Sequence, residues 1–61
     1  MKDDVIKEIQ EMQRLGMCKN LNLVEIINSG KYDDEIEDMK HCTVSEVADM
    51  IIQLDRLFNQ P

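Results

Sequence analysis

The chain has 61 residues and a formal net charge of −6 at pH 7. A chain of this length forms one small domain, residues 1–61, and its acidity argues against binding nucleic acid or an anionic membrane through clustered Lys and Arg. Hydrophobic residues make up 43% of the chain, which is more than a disordered segment carries, so we expect a folded protein.

Residues 3–15 are predicted to form an amphipathic helix. Apolar residues recur there at helical spacing, at Val5, Ile6, Ile9 and Met12. Asp3 or Asp4 is expected to cap its start, and Gly16 is expected to end it.

Residues 20–30 are predicted to form a short second helix. Asn22 and Glu25 have the spacing of a capping box, and Gly30 can end the helix. The β-branched content also suits a strand, but the chain offers no second strand to pair with it.

Residues 33–41 are predicted to form a third short helix with an acidic start. The run DDEIED contains Asp33, Asp34, Glu35, Glu37 and Asp38. Negative charge is favoured at a helix start, so one interpretation is a solvated face. Two others are an acidic patch that binds a basic protein surface and a mimic of DNA phosphates.

Residue Thr43 is predicted to start the last helix. TVSE is an S/T-x-x-E capping box that joins Thr43 to Glu46, and the helix should continue to about Asn59, with Pro61 beyond it. We therefore expect an all-α fold, a small bundle of three to four helices with a long amphipathic C-terminal helix.

The last helix is unusually rich in apolar residues. Its central stripe has coiled-coil spacing and consists of Val44, Val47, Ile51, Leu54 and Phe58. With Ala48, Met50, Ile52 and Leu57 the apolar arc reaches roughly 220°, more than an ordinary surface helix needs. One interpretation is that this is the central helix of the monomer core. We favour the other, in which part of the arc binds a second copy of the chain or a different protein.

The carboxylate of Asp55 lies inside this arc and near the helix C-terminus, where negative charge is disfavoured. It can reach solvent or pair with a Lys. Alternatively, it pairs with an Arg or Lys across an interface and sets the register of binding.

The segment TVSEVADMIIQLDRLFN resembles the second helix of the small aspartyl-phosphate phosphatases that act on sporulation response regulators. Leu54 and Asp55 match the last two positions of their Ser-Gln-x-Leu-Asp motif, whereas Ile51 and Ile52 occupy the Ser and Gln positions. The resemblance implies a phosphatase in which Asp55 acts on the phosphorylated regulator.

No other residues form a convincing catalytic or metal-binding motif. Asp38, His41 and Cys42 are ligand types, but the chain lacks the paired spacing of a zinc site, and we expect no metal and no cofactor. The two cysteines, Cys18 and Cys42, are too few for a disulfide framework, and no signal peptide or membrane span is evident. We therefore expect a cytoplasmic protein that is not an enzyme.

The favoured function is a protein–protein interaction module that regulates or inhibits a larger protein. The predicted partner-binding residues on the last helix are Val47, Ile51, Leu54, Asp55 and Phe58. The sequence does not identify the partner, and a homodimer is one candidate.

Overall fold

The computed structural model describes residues 1–59, and within this range the fold is all-helical, as predicted. A longer helix stands at each end of the chain, and two short helices lie between them in sequence. The elements are α1 (Lys2–Arg14), α2 (Leu23–Asn28), α3 (Asp33–Asp38) and α4 (Val44–Phe58). No strand occurs in the described range, so the β-branched segment at residues 23–28 is helical.

Helix α1 begins one residue earlier than the sequence predicts. Met1 occupies the N-cap position without a side-chain cap bond, so the prediction that Asp3 or Asp4 is the cap is wrong. Both carboxylates lie in the first turn instead, where they favour the positive end of the helix dipole. Gly16 follows the helix end with a φ of 78°, a conformation that glycine adopts without steric cost.

Helices α2 and α3 are separate short elements, as predicted, but their ends differ from the prediction. Asn22 stands at the N-cap of α2, yet its side chain makes no cap bond, so the predicted capping box with Glu25 is not formed. The backbone N–H of Asn22 instead donates to Oδ1 of Asn20, at 3.0 Å. Helix α3 ends at Asp38, three residues before the predicted end at residue 41.

Helix α4 begins with the predicted capping box. The backbone N–H of Glu46 donates to Oγ1 of Thr43 at 3.2 Å, and the backbone N–H of Thr43 donates to Oε1 of Glu46 at 3.1 Å. The backbone N–H and the hydroxyl of Thr43 both donate to Oε1 of Glu46 and lower the pKa of Glu46, so the stabilisation from these two bonds is lost as pH falls through that pKa. The helix ends at Phe58, with Asn59 at the C-cap, and Pro61 lies outside the described residues.

The core forms where α1 packs on α4 and the short helices close over them. Its aliphatic centre draws on all four helices and consists of Val5, Ile9, Leu23, Ile27, Ile36, Val47, Ala48, Ile51 and Ile52. Tyr32 and Cys18 complete it from the connecting segments. Within residues 1–59, the helices are too short or too polar to span a bilayer.

The capping box makes a testable contribution to stability. We expect Thr43→Ala to lower the free energy of unfolding by about 1 kcal/mol, because the Glu46 amide loses its acceptor. Chemical denaturation followed by circular dichroism measures the change. Thr43→Ser retains the hydroxyl and should lose much less; an equal loss in both variants would contradict the capping explanation.

Candidate functional site

The five residues predicted to bind a partner lie in different environments. Val47 and Ile51 are fully buried inside the protomer, so they serve its own core and present no surface to a partner. Leu54 is half-buried and packs on the edge of the core, whereas the side chain of Phe58 is 64% exposed. Any partner surface on α4 therefore excludes Val47 and Ile51 and has to consist of the exposed apolar residues of the helix.

The broad apolar arc of α4 is divided between two faces. The buried face consists of Val47, Ala48, Ile51, Ile52 and Asp55. At about 100° per residue these five positions span roughly 140°, and Asp55 lies about 10° from their middle. On the other side of the arc, Met50 is 39% exposed and Leu57 is 62% exposed. Phe58 projects within the buried face but is exposed because it is the last residue of the helix. We call Met50, Leu54, Leu57 and Phe58 the outer strip of α4.

The carboxylate of Asp55 is held inside the protomer by Asn20. Asp55 is 6% exposed, and Nδ2 of Asn20 donates to its Oδ2 at 2.9 Å. Of the two alternatives from the sequence, the solvent-facing Asp55 does not fit this burial. Asp55 is hydrogen-bonded to the side-chain amide of Asn20 within the same protomer.

Three further bonds position Asn20 in the segment between α1 and α2. Its Oδ1 accepts the backbone N–H of Asn22, and its carbonyl accepts Nε2 of Gln13 at 3.1 Å. The thiol of Cys18 lies 3.8 Å from the same carbonyl. Sequence analysis did not select Asn20. The Asn-x-Asn spacing is a signal for the local Asx turn, but it does not indicate a contact with a residue 35 positions later.

An open cleft lies beside Asp55. Its volume is about 290 Å³, and it separates the segment after α1 from the last turns of α4. Its polar lining consists of Lys19, Asn20, Asp55, Arg56 and Asn59. Across residues 1–59, no Lys or Arg nitrogen lies within the 4.0 Å ion-pair distance of the Asp55 carboxylate. The arrangement is a buried anion beside two cationic residues that do not neutralise it by contact.

The phenol of Tyr32 lies in the same interior, with Asp55 and Glu35 as anionic neighbours and the ammonium group of Lys31 5.6 Å from the centre of its ring. Tyr32 is 1% exposed, and within the described part of the chain its hydroxyl has no hydrogen-bond partner. Burial raises the pKa of Tyr32, and the charges of Asp55 and Glu35 raise it further. The buried Oε2 of Glu35 also lacks a partner there. The hydroxyl of Tyr32 therefore lies in a region of negative electrostatic potential.

The predicted acidic patch is only partly a free anionic surface. Glu35 is turned inward, while the other four carboxylates, Asp33, Asp34, Glu37 and Asp38, are exposed. Lys2 pairs with Asp33 at 2.9 Å, and Lys40 pairs with Glu37 at 3.1 Å. This neutralisation by neighbouring lysines weakens the case for a phosphate mimic, which needs many unpaired charges on one face.

The ligand-type residues do not assemble into a metal site. Among residues 1–59, no group of three or more His, Cys, Asp or Glu side chains converges. Cys18 is buried and free, and Cys42 is half-buried and free.

Comparisons with known proteins give no relative for this chain. No protein-family model matches it, and neither curated proteins nor solved structures give a significant match. The resemblance of the last helix to response-regulator phosphatases therefore stays a prediction. The resemblance implies a simple helical hairpin, whereas in this structure α2 and α3 intervene between the two longer helices.

The Asn20–Asp55 bond should be measurable as a coupling between distant residues. We expect a double-mutant cycle of Asn20→Ala and Asp55→Ala to give a coupling energy of about 1.5 kcal/mol, since the acceptor is charged. Urea denaturation of the four proteins provides the energies. The cycle cancels the separate loss of the Asn20–Asn22 bond, and a coupling near zero would mean that the two side chains do not interact.

Tyr32 should make stability sensitive to alkaline pH. A folded-state pKa above the unfolded value of about 10 means that stability is complete below pH 10 and falls as pH rises through the folded pKa. Tyr32→Phe should remove this component and leave stability at pH 7 unchanged or up to about 1 kcal/mol higher, because no hydrogen bond is lost.

The unfolding free energies of both proteins are compared between pH 7 and about pH 12, which is about two pH units above the unfolded-state pKa of tyrosine. All other side chains are the same in both proteins, so the difference between the two curves isolates Tyr32. If the unfolding free energies of the two proteins changed with pH in parallel, the pKa of Tyr32 would not be raised in the folded state.

Proposed function

We propose that this protein is a small acidic protein-binding module that regulates or inhibits a larger partner through the outer strip of α4. The observation that carries the proposal is the exposure of Met50, Leu57 and Phe58 on one helix whose adjoining face already completes the core. Adjacent exposed apolar side chains of this size are typical of an interaction surface.

The position of Phe58 supports a contact role. The ammonium group of Lys31 lies 4.4 Å from the centre of the Phe58 ring, at a cation–π distance. This contact restrains the aromatic ring near the end of α4 while most of its surface stays accessible. A restrained, exposed aromatic side chain loses little conformational freedom on binding, which is a property of interface anchors.

Charge defines the chemistry of the partner. The chain carries a net charge of −6, and Asp34 and Asp38 add exposed carboxylates on α3. A partner segment with apolar side chains flanked by Lys or Arg would complement both features and associate faster at low salt. A second copy of the chain complements the apolar strip but not the charge, so we favour a basic partner over a homodimer.

The proposed activity is binding rather than catalysis. Asp55 is the one residue that the phosphatase resemblance carries over. The Ser and Gln of that motif are replaced by Ile51 and Ile52. The outer strip contains no titratable side chain. Affinity would come from apolar burial, and the acidic surface would contribute orientation and association rate.

A matched pair of variants tests the outer strip. Leu57→Asp places a charge in the strip, whereas Ser45→Asp places the same charge at an exposed position of the same helix, roughly 120° from the nearest strip residue. We expect Leu57→Asp to weaken partner binding on the order of 30-fold, the effect of losing a 2 kcal/mol anchor, and Ser45→Asp to change it little.

Affinity capture from the native host with the wild type and both variants, followed by mass spectrometry, identifies the partner and ranks the three proteins. Circular dichroism confirms that each variant is folded, and light scattering reports whether the partner is a second copy. Proteins retained equally by all three would exclude the outer strip as the binding surface.

A further inference from the structure

The cleft beside Asp55 is separate from the outer strip of α4. Ile52 lines the cleft, and Met50 belongs to the strip; at about 100° per residue the two positions lie roughly 160° apart around the helix. The volume of about 290 Å³ is at the lower end of small-molecule sites, so the cleft suits a small ligand.

Asp55 gives this cleft a requirement for positive charge. A carboxylate removed from water is stabilised only by a counter-charge or by several hydrogen bonds. Here the observed donor is the neutral amide of Asn20, and the rest of the described chain places no cation in contact with the carboxylate. A ligand with an ammonium group would supply both charge and donors.

Lys19 and Arg56 give the same cleft two cations that attract an anionic group. Both residues line it and both are exposed, yet neither forms an ion pair with Asp55. A simple amine would be repelled by these two cations, and a simple carboxylate would be repelled by Asp55. A molecule that carries both signs at short separation complements the carboxylate and the two cations together.

We propose that this cleft binds a free α-amino acid, with its ammonium group on Asp55 and its carboxylate toward Lys19 and Arg56. The apolar lining from Cys18 and Ile52 accommodates a short aliphatic side chain. The hydrogen bond from Asn20 fixes the Asp55 carboxylate before the ligand arrives, so little ordering is needed on binding.

Three probes of matching shape test the requirement for both charges. The full chain, labelled with ¹⁵N, is titrated by NMR with L-valine, with isobutylamine, which lacks the carboxylate, and with isovalerate, which lacks the ammonium group. We expect saturable shifts with L-valine in the side-chain amide signals of Asn20 and Asn59. Each analogue should bind at least about tenfold more weakly, because each loses one charged contact.

Variants then assign the two ends of the ligand. Asp55→Asn should weaken L-valine binding by removing the partner of the ammonium group, and Arg56→Gln should weaken it by removing a partner of the carboxylate. Lys7→Gln, an exposed charge change on α1 outside the cleft, should leave binding unchanged. Arg56 is exposed, so its variant tests the proposal even where Asp55→Asn fails to fold.

Three results would overturn the proposal. The first is the absence of saturable shifts with L-valine at the cleft residues. The second is equal binding of either single-charge analogue, which would mean that one charge alone accounts for recognition. The third is L-valine binding that Arg56→Gln and Lys19→Gln leave unchanged. None of these results depends on a protein partner of the outer strip.

Discussion

A buried carboxylate in the middle of the core face of α4 is the constraint on which the arrangement of this protein depends. Asp55 lies between aliphatic residues of one helix face, so the fold has to supply a polar neighbour for it. Asn20 does this from a segment that is itself held by Gln13 and by the Asx turn to Asn22. One hydrogen bond thereby joins the end of α1 and the start of α2 to the last turns of α4.

The same constraint determines what each side of α4 presents. Because Asp55 and its aliphatic neighbours face inward, the apolar residues on the other side of the arc face outward and form the outer strip. The cleft beside Asp55 opens on the side of the α1–α2 segment. A 15-residue helix therefore carries the core face, an apolar strip beside it and, at Ile52 and Asp55, the part of the core face that opens on the cleft. This division allows a very short chain to combine a complete core with two distinct surfaces.

The short helices contribute mainly by closing the core and by setting charge. Helix α3 brings Ile36 into the core and turns Glu35 toward Tyr32, while its exposed carboxylates meet Lys2 and Lys40. Five acidic residues in six positions thus differ in environment. The surface of α3 is less negative than its sequence suggests, because lysines pair with two of its carboxylates. The interior near Tyr32 is more negative, because Glu35 and Asp55 lie there.

Local sequence patterns determined the four helices and the capping box at Thr43, because helix periodicity, capping and glycine stops act between residues at most four positions apart. The same patterns failed where two local options compete, as at Asn22, whose backbone joins an Asx turn while its side chain leaves the helix uncapped. Only the tertiary structure decided which part of the broad α4 arc is buried, that Val47 and Ile51 belong to the core, and that Asp55 meets Asn20. Those outcomes depend on how separate helices pack. A projection of one helix shows which residues share a face, but it does not show which face the other elements cover.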